Sequence, residues 1–163
     1  MSLELSIVQD AVTGGEGIPA PMLSVTSLSL KDLKPHIKSV NSHLPENSKM
    51  SVALHNGPKA FVITRPPRSL YGLVTCLRKI CVASGQDQSK VPYSERSPVF
   101  SVRFLVVAAP FHSVYMEGAS EKLMQEDLDG EELWHPEDLA IPVYHTHNGS
   151  CISQRHYLGL LII

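Results

Sequence analysis

Eight histidines and three cysteines carry most of the chemistry that a chain of 163 residues can offer here, and one histidine stands out by its setting. His112, in the stretch "AAPFHS", closes a hydrophobic run after a proline and an aromatic residue. An imidazole has an unperturbed pKa of about 6.5, so it is largely neutral yet still basic near neutral pH and can take the proton of a serine or cysteine nucleophile. Such a base needs a nucleophile held on a sharp strand-to-helix turn. The Gly-x-Ser-x-Gly elbow that builds this turn, and places N–H donors for an oxyanion, occurs nowhere in these 163 residues. Ser113 beside the histidine reads as a helix cap. A turn histidine before a capped helix is therefore the plain alternative to a catalytic base, and the residues alone leave both open.

A second cluster suggests metal chemistry. His145 and His147 are two apart, so on a strand they share a face, and His135 or Cys151 is a conceivable third ligand. Zinc takes four protein ligands, or three and a water, and the spacing supplies no third ligand at a known interval. Surface histidines are the better reading, and the sequence assigns no metal. Cys76, Cys81 and Cys151 form an odd set without a close Cys-x-x-Cys pair, which fits reduced thiols.

The elements that must position His112 follow from periodicity. "PMLSVTSLSL" alternates apolar residues with serines and reads as a strand; in "SLKDLKPHIKSVNSHL", Leu30, Leu33, Ile37 and Val40 recur at helical spacing. Pro35 suits only a first turn, which places the helix start near Lys34. "MSVALHN" and "KAFVITR", divided by Gly57 and Pro58, read as an antiparallel hairpin. "PPRSLYGLVTCLRKICV" enters a second helix through two prolines and lines Leu70, Leu73, Val74, Leu77 and Ile80 along one face. The polar stretch "ASGQDQSKVPYSERSP" is a surface loop, and "VFSVRFLVVAA" is a strand with a continuous buried run that ends at His112. Strand, helix, strand, strand, helix, strand is the split βαβ, or ferredoxin-like, order. Beyond it, "SVYMEGASEKLMQEDLD" predicts a helix despite Gly118, and "LAIPVYHTHNGS" another short strand.

Composition bounds the function more loosely. A formal net charge of −2 and 18% charged residues leave no basic footprint for nucleic acid and no polybasic membrane patch. The opening "MSLELSIVQDAV" lacks the basic start and unbroken apolar core of a secretory leader, and no stretch has the length of a membrane span. The expectation is a cytoplasmic protein of about one domain.

Five stretches carry a family resemblance: "GEGIPAPMLSV", "NSHLPENSKMSVALHNGPKAFVITRPPRSLYGLVTCLRK", "SGQDQSKVPYSER", "FSVRFLVVAAPFHS" and "IPVYHTHNGS". Together they are similar to the C-terminal half of the acetyltransferase region of fungal fatty acid synthase β subunits, within the wider malonyl/acyl transferase family. Dedicated β subunits that make short-chain, hexanoate-type starters are similar too. The resemblance covers residues 5 to 150, with "PPRSLYGL" and "SGQDQSKVPYSER" its most specific pieces; residues 151–163 match nothing. It implies an α/β fold in which a ferredoxin-like subdomain at about 21–109, followed by a return segment at about 110–150 with a helix and short strand, forms part of an acyltransferase domain. The serine would stand on the other part.

By the same resemblance, His112 is the catalytic base, and Asn56 of "HNGPKAFVI" has a supporting, substrate-binding place beside the cleft, unless it is simply the turn residue before Gly57. Acetyl would pass from coenzyme A to the serine and then to the phosphopantetheine thiol of an acyl carrier protein, with the synthase α subunit as a further partner and no cofactor held by this segment. Two departures stand out. Thr64 and Arg65 replace a small residue and a glycine before the two prolines, which threatens a clash, and His145 stands where relatives carry an acidic or small polar residue. A carrier-binding domain without catalysis and a gene remnant, the latter with core surface left uncovered, are the competing readings.

Overall fold

A computed structural model describes residues 3–82, 87–129, 131, 138–145 and 148–151. The chain divides into two compact units, Met1–Met116 and Glu117–Ile163.

The first unit opens with helix α1 (Leu3–Thr13), which the sequence reading passed over when it weighed that stretch only as a leader. Strand β1 (Met22–Thr26) follows, then α2 (Leu30–Asn41), the hairpin β2 (Ser51–Gly57) and β3 (Ala60–Thr64), α3 (Pro67–Arg78) and β4 (Ser101–Phe104). The four strands form one antiparallel sheet in the order β2-β3-β1-β4. That interleaving, with β1 at the centre and β2 and β4 at the edges, is the split βαβ arrangement read from the sequence.

Register explains the core. Leu23 pairs with Ile63 on one side and Phe104 on the other, and Val25 with Phe61 and Val102. Residues directly opposite in an antiparallel sheet share a face. These rows therefore present one apolar surface, and with Leu33, Leu70, Leu73, Val74 and Leu77 of the two helices they form a single buried cluster. Each large aliphatic side chain taken fully out of water contributes about 1.5–3 kcal/mol, so this two-layer contact is the main favourable term of the unit.

Local details depart from the sequence reading in three places. Helix α2 starts at Leu30, not near Lys34: the Ser29 Oγ accepts from the Asp32 N–H (3.2 Å) and donates to the Asp32 carboxylate (2.5 Å), a reciprocal cap that fixes the first turn and carries Pro35 into the helix interior. The strand before His112 ends at Phe104. The Leu105 N–H makes one more bond, to the Met22 carbonyl, and there β1 runs out into Pro21, which has no N–H to offer. Val106 is wholly exposed, at 104% of its reference area, so the apolar run is not continuously buried.

The helix expected over 113–129, a stretch that begins in the first unit and continues in the second, is broken. A 3-10 turn at Val114–Met116 precedes Gly118, which sits at φ +77° and caps α4 (Ala119–Lys122); a π turn at Leu123–Asp127 follows. Left-handed backbone at Gly118 ends one helical stretch and starts the next. The short strand expected within 139–150 is a single bridge between Tyr144 and Cys151, closed by the His145 N–H to the Ser150 carbonyl and a left-handed Gly149.

Candidate functional site

His112 lies on the loop after β4, exposed, with φ +55°. Few non-glycine residues adopt that left-handed region, although histidine does so more readily than most. Local bonds hold the turn. The Ser113 hydroxyl donates to the Pro110 carbonyl (2.5 Å) and accepts from the Tyr115 N–H (3.3 Å), while the Met116 N–H bonds the Ser113 carbonyl (2.9 Å). Ser113 is thus a backbone staple and the cap of the short 3-10 turn, with its hydroxyl committed. The imidazole of His112 has no hydrogen-bond partner among the described residues.

The loop is tied to the end of the sheet by residues far away in sequence. The Tyr115 phenol donates to the Asn47 carbonyl (2.6 Å), and the Arg65 guanidinium lies over the Tyr115 ring, 5.3 Å from its centroid. A cation over an aromatic face at this distance is attracted by the ring quadrupole. Arg65 also donates through its backbone N–H to the Pro21 carbonyl (3.1 Å) and through Nε to the Lys49 carbonyl. Arg65 is not among the residues with positive φ, so its backbone does not require glycine, and its side chain lies between the Lys49 carbonyl and the Tyr115 ring.

Asn56 is placed elsewhere. It is the extra residue of a bulge in β2, between the His55–Phe61 and Gly57–Ala60 pairs. The row Gly57–Ala60–Thr26–Ser101 crosses one end of the sheet, whereas Arg65, the Met22–Thr64 pair and the Tyr115 anchor mark the other. His112 and Asn56 are therefore associated with opposite ends of the sheet. Five or so strand residues separate those ends, on the order of 15 Å.

Sequence reasoning also missed a polar network. Arg78 forms a fork with Glu16, Nε to Oε1 at 2.7 Å and Nη2 to Oε2 at 2.6 Å, and a third bond to the Asp10 carboxylate at 2.6 Å. The Tyr71 phenol donates to the same Asp10 oxygen (2.6 Å). This joins α1 and the turn after it to α3, and the Glu16 carbonyl accepts from the Phe104 N–H (2.8 Å), so the network reaches the strand that leads to His112. The phenol of Tyr71, and then Arg78, hold the Asp10 carboxyl below its ordinary range, and Asp10 in turn pushes the Tyr71 phenol up. Partners 61 and 68 residues away leave no periodic trace that a reading along the chain could follow.

Of the proposed zinc ligands, His135 and His147 lie outside the described residues, and among the described residues no three of His, Cys, Asp and Glu gather closely enough to hold a metal ion. No helix of the described residues is long and apolar enough to cross a membrane.

No protein-family model matches the chain. Curated proteins do. The chain is 42% identical over 149 residues to the fatty acid synthase subunit beta of Saccharomyces cerevisiae, covering 91% of this chain, and 44% identical over 145 residues, or 89% of it, to that of Schizosaccharomyces pombe. The fatty acid synthase beta subunit TOXC of Cochliobolus carbonum is 35% identical over 149 residues, again 91% of the chain. This chain is homologous to one segment of the fungal fatty acid synthase β subunit. It spans about 7% of the length of each of these relatives. Matches of 145 to 149 residues take in the ferredoxin-like unit and the His112 loop.

Proposed function

We propose that the chain is the histidine-bearing part of an acyltransferase domain of a fungal-type fatty acid synthase β subunit, with residues 1–150 as that part and residues 151–163 outside it. The observation that carries this reading is His112 itself: an exposed imidazole in left-handed backbone, hydrogen-bonded to none of the described residues, on a stapled loop that follows an edge strand. Non-glycine residues with positive φ are uncommon, and backbone held in a sparsely populated region concentrates at functional sites as well as in turns.

In the proposed reaction, a serine on another part of the domain attacks the acetyl thioester of coenzyme A. His112 takes the serine proton as the C–O bond forms, then gives it to the departing thiolate as the C–S bond breaks. The second half runs in reverse, with the pantetheine thiol of an acyl carrier protein as acceptor and His112 as its base. Asn56 has a supporting place at most, given its position at the far end of the sheet. The carrier and the α subunit are the partners this reading implies.

The test grafts this segment into the Saccharomyces cerevisiae β subunit in place of the homologous one and measures acetyl loading of the assembled synthase. The graft should load, and His112→Ala should lower the rate by about 10²–10⁴, the usual share of a positioned general base. Undiminished loading in the variant would overturn the role of His112. The isolated 163-residue chain should take no acetyl group from acetyl-coenzyme A; a stable adduct lost on His112→Ala would show that a nucleophile lies within it.

A further inference from the structure

The turn that carries His112 is closed on itself. The Ser113 hydroxyl bonds both the Pro110 carbonyl and the Tyr115 N–H, and the Met116 N–H bonds the Ser113 carbonyl, so residues 110–116 form one hydrogen-bonded piece with His112 inside it. Its connection back to β4 is slack by comparison. Past the Leu105 N–H, which makes the last bond to the sheet, the backbone bond before Pro110 among the described residues is a local one, from the Val107 N–H to the Leu105 carbonyl (2.9 Å), and Val106 is fully exposed. Tyr115 supplies what the connection lacks. Its phenol donates to the carbonyl of Asn47, in the 3-10 turn Glu46–Ser48 ahead of β2, and its ring lies under the Arg65 guanidinium.

Arg65 is itself held in place on the sheet side. Its N–H bonds the Pro21 carbonyl just before β1, and its Nε bonds the Lys49 carbonyl just before β2, two residues from Asn47. A planar guanidinium can donate sideways through Nε while its face meets an aromatic ring; the ammonium of a lysine cannot do both. We propose that Arg65 and Tyr115 act together as positioning residues for His112, fixing the closed turn to the end of the sheet so that the imidazole stays in one place. Neither residue takes part in proton transfer. The inference deepens the acyl-transfer reading and rests on it, because a base must stand within hydrogen-bond reach of the serine proton and a misplacement of about 1 Å can cost on the order of 10²-fold in rate.

Two measurements test it. In the full 163-residue chain, the amide order parameters of His112 and Ser113 from ¹⁵N relaxation should fall below about 0.6 in Tyr115→Leu, while those of β1 and β3 keep their native values. In the synthase carrying the grafted segment, Arg65→Met and Tyr115→Leu should each lower kcat for acetyl loading about tenfold with KM for acetyl-coenzyme A unchanged, the pattern of a group displaced in the transition state rather than of weakened substrate binding. The double variant should be no slower than the slower single one, because each change breaks the same contact. Tyr115→Phe keeps the ring under the guanidinium and should lose about threefold or less. Native order parameters in Tyr115→Leu, a raised KM with kcat intact, or losses that multiply in the double variant would each overturn the proposal. Full-rate loading by Tyr115→Leu beside slow His112→Ala would overturn the positioning pair alone. Full-rate loading by His112→Ala would overturn the acyl-transfer reading, and the role of the pair in loading with it.

Discussion

The left-handed conformation of His112 gives its side chain a measurable cost. Holding a non-glycine residue there costs on the order of 1–2 kcal/mol, least for residues such as Asn and most for β-branched ones. Replacing His112 by Asn should therefore leave the chemical denaturation midpoint unchanged, whereas His112→Val should lower stability by about 1–2 kcal/mol. Equal stability of the two variants would mean that the turn relaxes freely. A second residue-scale prediction concerns Asp10. Its carboxyl is held below the ordinary range by Tyr71 and Arg78, so the folded chain releases that proton more readily than the unfolded one. Its stabilising contribution is present above the pKa of aspartate in the unfolded chain and is lost as pH falls through the depressed folded value. Urea midpoints followed from about pH 6 down to about pH 2 should fall more steeply in the native chain than in Asp10→Asn. Parallel curves would remove Asp10 from the acid response.

Helix α2 sets two signals against each other. Pro35 removes one i→i−4 bond, to the Lys31 carbonyl, while the Ser29–Asp32 cap, worth about 1 kcal/mol, fixes the start five residues earlier. Pro35→Ala should restore that bond and raise stability by about 1–3 kcal/mol in denaturant titration; no gain would show the helix already bent to suit the ring. This competition is why the helix was legible in the sequence but its start was not, since the proline signal hides the Ser-x-x-Asp cap. The two helices and the β2–β3 hairpin were legible because their apolar residues keep a strict period. The end of β4 was not, because a run of valines gives no sign that its partner strand is exhausted at Pro21. For the site, "PFHS" marks His112 in sequence, yet the anchoring of Tyr115 on Asn47 and Arg65 joins residues 68 and 50 positions apart, and only the folded register brings them together.

At the scale of the whole molecule, the surface near His112 is unusually apolar. Val106 and Val114 are exposed, and Phe111 and Tyr115 about half exposed, within one stretch of the chain. Exposed apolar side chains concentrated in this way favour association. Val106→Ser should leave stability within about 0.5 kcal/mol, because nothing packs on that side chain, while reducing self-association in sedimentation velocity. A large loss of stability would mean that Val106 is buried in solution. The sheet order has a consequence of its own for how the chain is made. β1 is the central strand, yet both its neighbours are synthesised after it, β3 some forty residues later and β4 some eighty. On the ribosome, Leu23 and Val25 must wait with bare backbone on each side, first for the hairpin and then for Phe104. The middle of the sheet is laid down first and closed last, so any nascent chain that pauses before residue 104 exposes the one strand whose hydrogen bonds the fold most needs to cover.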